Sequence, residues 1–135
     1  MPNLFPEGDQ APMYNTVDAA LILIDCVWRY VQATQDWAFA WEAWDPMDRI
    51  ITHYRKGTHH GIGMDDDGLI FAGQGLDQVT WMDVRVENIL PTPRHGKPVE
   101  INAYWYNALR VMEALREAPT TVMRVCFPQM DMAQM

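Results

Sequence analysis

Helical spacing of apolar residues is the feature that most limits the folds open to this chain. Between Val17 and Val31, apolar side chains recur with the period of one helix face. Such a stripe is typical of a helix that packs on a core. The preceding Asn15 and Thr16 have the character of a helix cap followed by an acid. The sequence therefore predicts a first helix from about Thr16 to Thr34.

The same pattern predicts a second and a third helical stretch directly afterwards. Asp36 stands in a capping position before residues 37–41, and Asp45 followed by Pro46 has the form of another helix start. The apolar stripe of the third stretch ends at Gly57. Its members are Met47, Ile50, Ile51 and Tyr54. These stretches predict a helical hairpin with the first helix.

A last helix is predicted near the end of the chain. Pro98 is suited to a helix start, and Pro119 sets the limit of the helix. The predicted buried side consists of Ile101, Trp105, Ala108, Leu109, Met112 and Leu115. Since no strand–helix–strand alternation occurs, the predicted architecture is all-α.

A long non-helical excursion separates these helices, from Thr58 to Pro98. Glycines are frequent in it, and such excursions in small domains are usually functional or disordered. Short β-prone segments around Ile62 and at residues 69–71 flank residues 65–68. That arrangement predicts a small β-hairpin at the start of the excursion.

Charge and length restrict the partners. A formal net charge of -8, without clusters of Lys and Arg, argues against nucleic acid or an anionic membrane surface. The first residues lack a basic segment followed by an apolar run, and no apolar stretch is long enough to span a bilayer. We expect a soluble, cytoplasmic protein. Cys26 falls in an apolar helical pattern far from Cys126, which predicts a reduced, buried thiol.

Six tryptophans are many for 135 residues. Indole faces stack on sugar rings, but large aromatic side chains also fill cores. For Trp28, inside the first helix, the core is the favoured interpretation.

Asp83 beside Trp81 is one candidate catalytic group. A carboxyl group next to an indole in a partly dry cleft can remain protonated near neutral pH and donate that proton, as glycosidic cleavage requires. On its own the pattern is weak, and a helix cap is the favoured explanation of such an aspartate.

A second polar group surrounds Glu100 at the predicted start of the last helix. Arg94, Lys97 and Asn102 lie within a few residues of it. Helix capping accounts for Glu100 alone, but not for the density of polar groups there.

No metal or cofactor site is predicted. The acids at residues 65–67 are consecutive and lack the closing Glu of a calcium loop, so a turn is favoured. His59 and His60 are adjacent and lack further ligands at metal-binding spacing.

Five blocks of sequence, in order, resemble the glycogen debranching enzyme family in its amylo-α-1,6-glucosidase domain. The resemblance covers about residues 4 to 117. The blocks are residues 12–19, 53–58, 64–70, 78–83 and 92–109.

The resemblance implies part of an α/α toroid of six helical hairpins, at residues 1–118, followed by a tail at 119–135 without assigned structure. It implies that Asp83 is the general acid and that Trp81 forms a wall beside it. Residues implied in substrate binding are Tyr14, Asn15, Asp18, Trp81, Arg94, Glu100, Asn102 and Trp105.

The implied reaction is hydrolysis of the α-1,6 branch glucose of a glycogen-like α-glucan by an inverting mechanism. Acid and base carboxyl groups then stand about 6.5 to 9.5 Å apart, with a water between them. The general base is expected beyond the last block, outside this chain, so we predict that the isolated chain is inactive. The missing remainder of the toroid is a candidate partner.

Residues 84–88 depart from the small, glycine-bearing residues usual after the acid. Two alternatives to a glucosidase fragment stay open. The chain is either a noncatalytic helical module that binds α-glucan or a truncated gene product.

Overall fold

Four α-helices account for most of the regular structure in a computed structural model of the chain, which describes residues 2–117. They are α1 at Ala19–Thr34, α2 at Trp37–Glu42, α3 at Trp44–Lys56 and α4 at Val99–Arg116. A 3-10 turn at His59–Gly61 leads into strands β1, Gly63–Met64, and β2, Ile70–Phe71. The mostly helical fold agrees with the all-α prediction, whereas the toroid stays a prediction. The predicted tail, residues 119–135, lies outside the described residues.

Helix α1 begins at Ala19, later than the predicted start at Thr16. Asp18 caps it, since one carboxylate oxygen accepts a hydrogen bond of 2.7 Å from the Ala19 amide. The Val17 amide instead donates to the carbonyl of Val79 at 2.7 Å. The Val17 carbonyl accepts the Tyr54 hydroxyl at 2.7 Å, and the first helical hydrogen bond runs from the Ile22 amide to the Asp18 carbonyl.

The prediction that Asp36 caps α2 is confirmed, because its carboxylate accepts a hydrogen bond of 3.0 Å from the Phe39 amide. The predicted cap at Asp45 is wrong. Helix α3 follows Ala43 without a side-chain cap, and the Ala43 amide still bonds the Phe39 carbonyl at 2.9 Å. The chain passes from α2 into α3 almost without interruption, so no new cap is needed.

The core lies between the apolar stripes of α1, α3 and α4. All four predicted members of the α3 stripe are buried, and Trp28 is half-buried against the core. In α4, Leu109 was predicted to be buried but is 39% exposed, and Val111 is buried instead. Leu109 and Val111 lie on opposite flanks of the stripe, and periodicity cannot tell which flank a neighbour will cover.

Cys26 was predicted to be buried but is exposed. Its position on α1 falls outside the buried stripe formed by Ala20, Ile24, Val27 and Val31. Cys126 lies outside the described residues.

Tyr54 and Trp105 join several elements at the centre of the core. Their rings stack with centroids 6.0 Å apart and planes inclined by 14°. The Tyr54 hydroxyl donates to the Val17 carbonyl at 2.7 Å, and the Trp105 indole N–H donates to the Gly68 carbonyl at 3.1 Å. Burial raises the pKa of the Tyr54 phenol well above its ordinary value. The pair thus connects α3 and α4 to the segment before α1 and to the hairpin.

The predicted β-hairpin is present, with β1 and β2 antiparallel and Met64 opposite Ile70. The amino group of Lys97 lies 2.7 Å from Asp65 and 2.8 Å from Asp67, in the turn of the hairpin. The turn is thereby tied to the start of α4. Within residues 2–117, no cluster of three or more His, Cys, Asp or Glu could hold a metal ion.

Among the described helices, none is long and apolar enough to cross a membrane.

Shortening a core side chain of α1 is expected to destabilise the fold. Ile24 is fully buried, so Ile24→Ala removes its packing and leaves a cavity. We expect the free energy of unfolding to fall by about 2 to 5 kcal/mol. Urea denaturation followed by circular dichroism measures it. Ile22→Ala, at an exposed position of the same helix, should cost less than about 1 kcal/mol. Equal losses would contradict the described packing.

The acids of the hairpin turn are expected to titrate at low pH. Hydrogen bonds from Lys97 lower the pKa of the Asp65 and Asp67 carboxyls below the ordinary value. Their folded-state pKa lies below the unfolded-state one, so their stabilisation is present at neutral pH and is lost as the pH falls below about 4. Carboxyl chemical shifts measured against pH test this. Lys97→Met should move both titrations to higher pH, and unchanged titrations would show that Lys97 does not hold the turn.

Candidate functional site

Two segments that are distant in sequence lie side by side and form the candidate site. The pre-helix segment, residues 15–18, runs along the Asp83 turn, residues 78–83. The side-chain amide of Asn15 donates to the Gln78 carbonyl at 2.6 Å. Farther along, the Trp81 amide donates to the second carboxylate oxygen of Asp18 at 2.9 Å. The structure thus brings together four predicted site residues, Asn15, Asp18, Trp81 and Asp83.

Asp83 is buried inside its own turn, with 7% of its surface exposed. Its Oδ2 accepts hydrogen bonds from the amides of Val79, at 2.7 Å, and of Thr80, at 3.0 Å. The Thr80 hydroxyl lies 3.1 Å from Oδ1 and also accepts the Met82 amide at 3.3 Å. Local capping therefore describes the contacts of Asp83, although it caps a turn and not a helix.

These contacts distinguish the two oxygens of Asp83. Oδ2 faces two N–H donors and is fixed as an acceptor, whereas the partner of Oδ1 is a hydroxyl that can donate or accept. A proton on Asp83 would therefore be carried by Oδ1, with Thr80 as its partner. The general-acid role of Asp83 stays a prediction.

The Trp81 side chain is 70% exposed although its backbone is held in place. The faces of this exposed indole are accessible to a ligand that stacks on aromatic rings. Its implied role as a wall beside Asp83 stays a prediction.

The polar residues before α4 reach the Asp83 turn through Met82. Arg94 forms an ion pair with Glu100, and its guanidinium lies 3.1 Å from the Met82 sulfur. The Thr92 hydroxyl donates to the Met82 carbonyl at 3.2 Å. Arg94 therefore adjoins the turn and Glu100 holds Arg94, while the implied role of both in substrate binding stays a prediction.

Asn102 and Trp105 have structural contacts instead. The Asn102 amide group pairs with the backbone of Ile70, at 2.7 Å and 3.1 Å, and also donates to the Pro98 carbonyl. Trp105 is buried in the core, and its indole N–H donates a hydrogen bond to the Gly68 carbonyl. Both side chains therefore hold the hairpin on α4, and their implied role in substrate binding stays a prediction.

A cleft of about 520 Å³ opens on the other side of the pre-helix segment. Of the predicted site residues, only Tyr14 lines it, together with Thr16, Ala20, His53, Tyr54, Gly57, Thr58, His59 and Ile62. Within the described residues, the Thr16 hydroxyl and the side-chain amide oxygen of Asn15 are buried without a hydrogen-bond partner. The volume lies in the usual range of small-ligand sites.

Sequence reasoning missed several residues of the site. Thr16, His53 and His59 line the cleft, while Gln78 and Thr80 organise the turn. Alternation along an extended segment, which turns Tyr14 and Thr16 to one side and Asn15 to the other, could have indicated Thr16. His53 falls in the block of residues 53–58 that carries the resemblance, but its position within a helix gave no reason to single it out.

A histidine on each side supports the entry to the Asp83 turn. Nδ1 of His60 lies 2.9 Å from the Asp77 carboxylate, and Nε2 of His95 lies 2.9 Å from the Asp77 carbonyl. A Cβ on Gly73, which has a φ of +81°, would lie 2.5 Å from the His95 ring. Gly73 therefore leaves room for the imidazole that holds Asp77.

Residues 1–131 match the family described as amylo-alpha-1,6-glucosidase. The chain is a glycogen debranching-type glycoside hydrolase domain. It belongs to the amylo-alpha-1,6-glucosidase family, which confirms the resemblance read from the sequence. No curated protein and no solved structure matches the chain.

Removing the Thr80 hydroxyl is expected to destabilise the site. Thr80→Val keeps the shape of the side chain but leaves the Met82 amide and Asp83 Oδ1 without their partner. We expect a loss of about 1 to 3 kcal/mol in the free energy of unfolding, measured with urea. Thr34→Val removes two hydrogen bonds of an exposed hydroxyl that water can replace, and should cost less. An equal or smaller loss at Thr80 would contradict its role in the turn.

Proposed function

We propose that this chain binds the glucosyl branch of a glycogen-like α-glucan and presents Asp83 as the general acid for hydrolysis of the α-1,6 bond. Family membership supports the substrate class. The observation that carries the proposal is the pairing of residues 15–18 with residues 78–83, which joins an exposed Trp81 and a buried Asp83 in one fixed turn.

The chemistry of the surroundings fits a neutral, hydroxyl-rich ligand. Trp81 offers a flat apolar face, and the nearby cleft is lined by uncharged residues that include Tyr14 and Thr58. The net charge of -8 disfavours an anionic ligand. An uncharged glucan fits these features better than a phosphorylated one.

In the proposed reaction, Asp83 Oδ1 gives its proton to the glycosidic oxygen as the bond to the anomeric carbon breaks. A water attacks the opposite face of the sugar and loses a proton to a second carboxylate, which inverts the configuration. Asp18 is poorly suited to that second role, since both of its oxygens already accept backbone amides.

The general base is therefore proposed to come from outside this chain. The described helices would then form part of a larger toroid of helical hairpins in the cytoplasm. On its own the chain is proposed to bind glucan without hydrolysing it.

A noncatalytic α-glucan-binding module is the second candidate. It is favoured by the full use of Asp83 within its turn, since every contact of that carboxylate serves local structure. The exposed Trp81 would then be the main binding group.

Removing the Trp81 indole is expected to weaken glucan binding. Titration calorimetry with panose, which contains an α-1,6 bond, should show at least about a tenfold loss of affinity for Trp81→Ala, or about 1.4 kcal/mol. Tyr106→Ala removes a comparably exposed aromatic ring from α4 and should leave the affinity unchanged. Absence of binding by the unmodified chain would contradict both candidates.

The same samples test hydrolysis. We expect no release of glucose from panose or limit dextrin, because Asp83 lacks a partner base. Release that Asp83→Asn abolishes would show that the chain carries a complete acid and base pair.

A further inference from the structure

Asp18 is a buried carboxylate whose two oxygens are both occupied by backbone amides. It is 6% exposed. One oxygen accepts the Ala19 amide at 2.7 Å, and the other accepts the Trp81 amide at 2.9 Å. A carboxylate in this position has little capacity left for sugar hydroxyls, which the resemblance had implied as its ligands.

The hydrogen bond to Trp81 completes the turn. The amides of Val79 and Thr80 bond Asp83, and the amide of Met82 bonds Thr80. The Asp83 amide bonds the Thr80 carbonyl at 3.2 Å. The Trp81 amide, at the centre of the turn, is bonded from the start of α1.

The other links between the two segments lie at the entry of the turn. They join Asn15 to Gln78 and Val17 to Val79. Of these three links, only the hydrogen bond accepted by Asp18 reaches Trp81, whose indole is exposed. The other oxygen of Asp18 accepts the first amide of α1, so the same carboxylate joins the start of the helix to the turn.

We infer that Asp18 is a positioning residue that fixes the Trp81 backbone, and so aims the stacking face of the indole, and that it is not a ligand of sugar hydroxyls. The inference rests on the proposed function for the identity of the ligand. The hydrogen bonds that carry it do not depend on the ligand.

Amide hydrogen exchange tests the positioning role in the absence of ligand. Asp18→Asn leaves one acceptor oxygen for two amides, and Asp18→Ser keeps a helix cap but is too short to reach Trp81. Both should speed exchange at the Trp81 amide by about tenfold or more, while the Ile24 amide in α1 keeps its rate. Asp48→Asn, at an exposed position of α3, is the matched control and should change neither rate. An unchanged Trp81 rate in both Asp18 variants would overturn the inference.

Maltose and its singly deoxygenated analogues test the ligand role. If Asp18 is a positioning residue, Asp18→Ser should weaken the binding of maltose and of every analogue by the same factor. A direct contact predicts that the unmodified chain discriminates against one analogue and that the variant loses this discrimination, which would overturn the inference. If the unmodified chain binds no glucan, the proposed function fails, and the exchange rates alone decide the role of Asp18.

Discussion

The buried phenol of Tyr54 is the interaction on which the rest of the structure depends. A buried hydroxyl needs a partner, and within residues 2–117 the Tyr54 hydroxyl donates to the Val17 carbonyl, just before α1. Its ring stacks on Trp105, whose N–H in turn holds the hairpin. Fixing Val17 in this way presents its amide to Val79 and its neighbour Asp18 to Trp81. The core and the candidate site are therefore linked through Tyr54 and the residues just before α1.

Helical periodicity predicted the helices because burial of one stripe is a local property of the sequence. It failed where the answer depended on a neighbour. Leu109 and Val111 flank the same stripe, and only the packing decides which is covered. Asp45 has the form of a cap, yet the continuation from Phe39 to Ala43 removes the need for one. The start of α1 shifted for the same reason, since the Val17 carbonyl accepts the distant Tyr54 hydroxyl.

The resemblance identified the two segments of the site, but residue type did not reveal what each side chain does. Asn102 and Trp105 belong to a polar, aromatic block typical of a sugar site, yet their polar atoms are used to hold the hairpin. Asp18 and Asp83 are residues of a type that can act in catalysis, but most of their carboxylate oxygens accept hydrogen bonds from backbone amides. Hydrogen-bond partners more than 60 residues away cannot be read from local sequence.

The contact between Asn15 and Gln78 closes a loop of 63 residues. Closing such a loop costs chain entropy before any contact compensates for it, so contacts of this separation tend to form late in folding. Helices α1 to α3 and the hairpin depend on much shorter loops. We therefore expect this contact, like the α1–α4 contact between Asp25 and Asn107 that spans 82 residues, to form after the local helices and the hairpin, so that a docked Asp83 turn reports a nearly completed fold.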